Sequence, residues 1–130
     1  MCEYEYVGCF FDFDEFSALV APLRRGALSG DKKKPHITFQ YMPESVNPEL
    51  FGQEIEVTVL GYGNNGVNEG LKVSLRSENP EINRMIEKIA VPHITIAVSE
   101  SGQAVDTKYL EFAEIEPFTI KGHFGGHIDI

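Results

Sequence analysis

Apolar positions along the chain alternate between two periods. Residues 4–11 are rich in aromatic and β-branched types and predict a strand. Asp12 or Asp14 then caps a helix through about Arg25, with Phe16, Leu19, Val20 and Leu23 at helical spacing. Residues 26–34 are expected to be a loop, holding Gly26, Gly30 and the run Lys32-Lys33-Lys34. A short strand is predicted over residues 36–41, with Pro43, Asn47 and Pro48 marking the connection after it. Alternation of Ile55, Val57 and Val59 predicts a strand over 54–62. Another covers 71–75, and Gly61 to Gly66 predicts a hairpin-like turn between them. Asn79-Pro80 opens a second helix through Ile89, with Ile82, Met85, Ile86 and Ile89 facing inward. Residues 93–98 predict a strand, 105–112 a short helical or irregular segment, and 118–130 a glycine-broken strand.

This order is strand, helix, strand, strand, twice over. The tetrapeptide Pro-His-Ile-Thr occurs as Pro35-His36-Ile37-Thr38 and again as Pro92-His93-Ile94-Thr95, each time after a helix. Each copy precedes a strand with glycines at its end, Gly61 and Gly63 in one half, Gly122, Gly125 and Gly126 in the other. An internal duplication is the expectation, with lobes of about 1–66 and 67–130 within one domain.

Side chains on a strand alternate faces, so His36 and Thr38 share one face, as do His93 and Thr95. A pseudo-twofold axis relating the halves would bring both faces to one cleft. Two imidazoles there suit acid–base chemistry at phosphorus, one removing a proton from the attacking oxygen and the other protonating the leaving oxygen. The Thr hydroxyls can donate to the non-bridging phosphate oxygens, and no metal is required. A lone His on a strand is more often a packed or half-exposed residue than a catalyst. The second copy in a duplicated context reverses that balance. A zinc reading finds no Cys, Asp or Glu at ligand spacing beside either motif.

Composition narrows the partners. The 130 residues are 42% hydrophobic, enough for one domain with a buried core, and no apolar run nears the ~18–20 residues that span a bilayer. The amino terminus is acidic and aromatic, unlike a secretory leader, and two Cys make no disulfide framework, so a reducing cytoplasm is expected. The 11 Lys plus Arg against 20 Asp plus Glu leave a charge of −9, which argues against tracking a long duplex. A small phosphoester remains allowed.

The segments Pro35-His36-Ile37-Thr38-Phe39 and Pro92-His93-Ile94-Thr95-Ile96, in a duplicated α+β chain, resemble the two-histidine (2H) phosphoesterase superfamily, which includes RNA-ligase-like cyclic phosphodiesterases. That resemblance implies a bilobal pseudo-twofold fold, an antiparallel sheet from each half, helices packed outside and a central cleft. It implies metal-independent, cofactor-free cleavage of 2′,3′-cyclic phosphates, 2′–5′ linkages or other cyclic or oligomeric nucleotides. His36 and His93 would be the acid–base pair, with His36 taken as general acid and His93 as general base, and Thr38 and Thr95 the phosphate clamps. The chain is shorter than many members of that superfamily. Only residues 26–34, 44–53 and 100–108 remain as lids, which implies an open cleft.

Secondary candidates follow from the strand phase. Gln40 is expected on the face of His36, and Ser99 on that of His93, as contacts for a sugar or base. Tyr41 and Tyr109 can stack on a base, Lys34 can attract a phosphate, and His123 and His127 share a strand face. The alternative to an enzyme is a non-catalytic module that holds or sequesters a nucleotide in the same cleft. A structural domain with incidental His residues is the third reading.

Overall fold

Period-2 alternation carries most of the chain into a single sheet. The computed structural model describes residues 4–24, 31–32 and 34–128. Its strands are β1 (Tyr6–Phe10), β2 (Asp31–Lys32), β3 (His36–Tyr41), β4 (Glu54–Asn64), β5 (Asn68–Arg76), β6 (His93–Val98) and β7 (Ala113–His127). The seven strands are antiparallel throughout, in the order β2-β6-β5-β4-β7-β1-β3. The class is mixed α and β, as expected. The expectation of one sheet per half is corrected: β4 pairs with β7 from Glu54 opposite His123 to Tyr62 opposite Ala113, joining both halves. Each of these long strands would otherwise leave a row of backbone donors and acceptors unpaired.

The order has a symmetry of its own. Exchanging β1, β3 and β4 with β5, β6 and β7 turns β6-β5-β4-β7-β1-β3 into itself, read from the other end. The irregularities obey the same exchange. β1 slips against β3 between Val7 and Gly8, and β5 slips against β6 between Glu69 and Gly70. Gly8 then faces Thr38 and Gly70 faces Thr95. A Cβ at either glycine would collide with a backbone carbonyl of the motif strand, that of Ile37 or of Ile94. The chain curls until β3 and β6, five positions apart in the order, come into contact.

Helix α1 (Phe13–Val20) is capped by Asp12, whose carboxylate accepts from the Glu15 N–H at 2.8 Å. It stops short of the expected Arg25. Pro22 lies in the 3₁₀ turn Ala21–Leu23 that replaces its end. Phe16 and Val20 are buried as expected, whereas Leu19 is 41% exposed. Helix α2 (Pro80–Glu87) has Pro80 in its first turn, and the Asn79 side chain accepts from the N–H groups of Glu81 and Ile82. Ile82 is fully buried, with Met85, Ile86 and Ile89 packed against the core. The core joins these to alternate strand residues, among them Val7, Ile37, Ile55, Val57, Leu71, Ile94 and Phe124. Cys9 is within it, and burial pushes its thiol pKa up to about 12.

The remaining differences are in strand length. β4 and β5 run further toward each other than expected, because the turn is confined to residues 65–67. There the Asn64 side chain accepts from the Gly66 N–H, and Asn65 from Val67 and Asn68. Gly61 and Gly63 are therefore not turn residues. They lie inside β4, where a Cβ would press on Phe112 and on Leu110. β7 begins at Ala113, ahead of the expected Phe118, with a slip against β4 around Pro117, which has no N–H to pair.

Candidate functional site

The repeated Pro-His-Ile-Thr makes the same local structure twice. His36 opens β3 and His93 opens β6. In each copy the ring Nδ1 lies on the carbonyl oxygen two residues back, Lys34 at 2.9 Å for His36 and Val91 at 2.8 Å for His93. A carbonyl only accepts, so Nδ1 carries the hydrogen, and Nε2 is left with the lone pair when the ring is neutral. The intervening proline holds its predecessor extended, which keeps that carbonyl within reach of the ring.

The two motifs meet. His36, Thr38, His93 and Thr95 line one pocket of about 260 Å³, together with Ile37, Tyr41, Ile89, Ala90, Val91, Val105 and Lys108. None of these is Asp or Glu, although the chain carries 20 acidic residues. Among the described residues the pocket thus holds one ammonium, two imidazoles and no carboxylate.

The surroundings of the two motifs differ. His36 stacks on Tyr6 with centroids 4.9 Å apart and on Phe10 at 5.9 Å. Tyr6 stacks in turn on His127 at 5.0 Å and meets Tyr41 edge-on at 5.9 Å. Burial lowers the His36 pKa below the ordinary imidazole value. The bond to the Lys34 carbonyl opposes this, and charge on His127 or His93 adds to the lowering. In the other half the neighbour is polar. The Thr95 hydroxyl donates to Thr107 Oγ1 at 2.9 Å, and the Asn68 amide donates to the same oxygen at 3.1 Å and to the Gln103 carbonyl at 2.7 Å. Thr107 belongs to the 3₁₀ segment Ala104–Tyr109, which also supplies Val105 and Lys108 to the pocket.

Four expected contacts are not brought to the pocket, one of them Tyr109, which is 74% exposed. Gln40 is exposed, and the register slip explains why. Thr38 pairs with Gly8 and Gln40 with Val7, so the extra residue Phe39 shifts the phase and Tyr41 joins the pocket instead. The same slip in β6 keeps Ser99 out: its N–H bonds to the Val67 carbonyl and its hydroxyl meets Ser101. The exposed Lys34 side chain does not line the pocket, and only its carbonyl serves the site. Lys33 and residues 26–30 of the first lid lie outside the described residues. The second lid does not line the pocket, and the third contributes Val105 and Lys108. His123 and His127 do share a face with the site, stacked against Phe10 and Tyr6.

Sequence reasoning missed Lys108, Tyr6 and the glycines opposite each Thr. Only the glycines had a signal, in Val7-Gly8 and Glu69-Gly70 at matching places in the two halves. Among the described residues no cluster of three or more His, Cys, Asp or Glu could hold a metal ion. No helix among them is long and apolar enough to cross a membrane. No known protein family matches the chain, and neither does any curated protein.

Proposed function

We propose that the chain is a metal-independent phosphodiesterase acting on a small RNA end or a cyclic or oligomeric nucleotide, in the manner of two-histidine phosphoesterases. The observation that carries this is the convergence of both His-x-Thr motifs on one pocket without a carboxylate. The symmetric strand order supports a duplicated, bilobal origin with halves of about 1–66 and 67–130. A cytoplasmic setting, and partners limited to small nucleotides rather than long duplexes or membranes, complete the reading.

We assign the pair in the opposite order from the sequence expectation, with His36 as general base and His93 as general acid. A lowered pKa favours neutral His36, whose Nε2 lone pair suits the general base, and a proton on His93 is one of the charges that keeps His36 neutral. For a 2′,3′-cyclic phosphate, His36 takes a proton from water as the water oxygen bonds to phosphorus. The leaving ribose oxygen departs with the P–O electron pair and takes a proton from His93, giving a phosphomonoester. Thr38, and Thr95 once its hydroxyl turns from Thr107, donate to the non-bridging oxygens.

Assay of a panel of 2′,3′-cyclic, 2′–5′ and 3′–5′ phosphodiesters with EDTA present tests the reading. Turnover with a bell-shaped pH profile is expected, falling about 10²–10⁴-fold in His36→Ala and in His93→Ala. Activity lost on chelation, or full activity in either variant, would overturn it. A nucleotide bound tightly and left intact by the wild type would favour the nucleotide-holding module.

A further inference from the structure

Among the described residues, Lys108 is an ammonium with no carboxylate partner in an acidic chain. Its Nζ sits 5.2 Å from the centre of the Tyr109 ring, which is 74% exposed, so the charge is held at the rim of the pocket. The backbone beneath it is anchored, because the neighbouring Thr107 is fully buried and bonded to Thr95 and Asn68. At the β3 end, which the exchange matches to β6, no Lys or Arg lines the pocket among the described residues. There the pocket runs into ring faces, with Tyr41, 64% exposed, against Tyr6, and Tyr6 stacked between His36 and His127.

Two like motifs are thus flanked by unlike ends, which gives the cleft a direction. An anion reaching Lys108 at the rim lies beyond the one clasped between the imidazoles. Building on the phosphodiesterase reading, we propose that the cleft takes a nucleotide bearing a second phosphate. The base stacks on Tyr41 and its neighbouring rings, the reacting phosphorus lies between His36 and His93, and the second phosphate meets Lys108. The preferred substrate class is then a phosphorylated cyclic nucleotide or a short oligonucleotide, ahead of an unphosphorylated nucleoside cyclic phosphate.

Equilibrium binding of adenosine 3′-monophosphate and adenosine 3′,5′-bisphosphate tests this without requiring turnover. The wild type is expected to bind the bisphosphate about tenfold more tightly, the order of one charge-assisted contact at a partly exposed site. Lys108→Met should bring the ratio of the two affinities to about one, and Lys108→Arg should keep most of it. Tyr41→Ala should weaken both ligands and leave the ratio in place. Equal affinities in the wild type, an unchanged ratio in Lys108→Met, or no binding of either ligand would overturn the proposal. A preserved ratio with no turnover of any phosphodiester would sink the catalytic reading and leave this one standing.

Discussion

His36 shows how neighbours give a repeated residue an individual character. Its ring is covered by Tyr6 and Phe10 from β1, with His127 of β7 and His93 of β6 as the nearby titratable groups. A His whose folded pKa is lowered stabilises the fold fully only above its unfolded value of about 6.5, and that contribution is lost as pH falls toward the folded value. Thermal melts of wild type and His36→Gln at pH 7.5 and 5.5 check this. The wild type is expected to lose more Tm on acidification. An equal or larger loss in the variant would show that His36 is not held neutral by its surroundings. The sequence made His36 and His93 legible as a pair through their tetrapeptides. It could not show that their surroundings differ, because the rings that cover His36 come from another strand, β1. Glu69 makes the same point. It is a carboxylate in phase with the buried Leu71 and Val73, and it is itself fully buried, bound by Arg24 at 2.6 and 2.8 Å and by the Tyr62 hydroxyl at 2.6 Å.

Among the elements, the 3₁₀ segment Ala104–Tyr109 was the least legible, because it has neither a 3.6 nor a 2.0 period and its position depends on one hydroxyl. Thr107 accepts from both Thr95 and Asn68 in a fully buried site. Thr107→Val would keep the shape and remove the shared acceptor of two buried hydrogen bonds, at a cost of roughly 1–3 kcal/mol. A lowered midpoint in urea unfolding with an unchanged slope is the expected result, and an unaltered midpoint would show that the segment is held by apolar contacts alone. The strands at 36–41 and 93–98 were predicted with the observed bounds because each is a short apolar alternation between breakers. Their bulges were not. A slip is set by what the partner strand can admit, here a glycine opposite each Thr, and it moved Gln40 and Ser99 out of the site while bringing Tyr41 in.

Over the whole molecule, the charge of −9 and the pocket act on different length scales. At low salt the acidic field reaches about 30 Å and repels an approaching anion, whereas near 0.15 M it is screened within about 8 Å. In the proposed binding mode the pull of Lys108 is short-ranged and survives that screening. Raising ionic strength from 0.01 to 0.15 M should therefore leave KM for a small phosphodiester flat or lower it. A steep rise in KM with salt, the signature of a basic nucleic-acid surface, would contradict this. Sequence by itself determined the repeated order of elements, the faces of the two His-x-Thr strands and the acidic net charge. Each follows from spacing, alternation or charge count, which are local or additive. Tertiary structure decided that the halves share one sheet, that the motifs meet across its curled ends, and that one end of the cleft is aromatic while the other is cationic. Those outcomes depend on strand pairing and register between residues far apart in the chain, which no local period encodes.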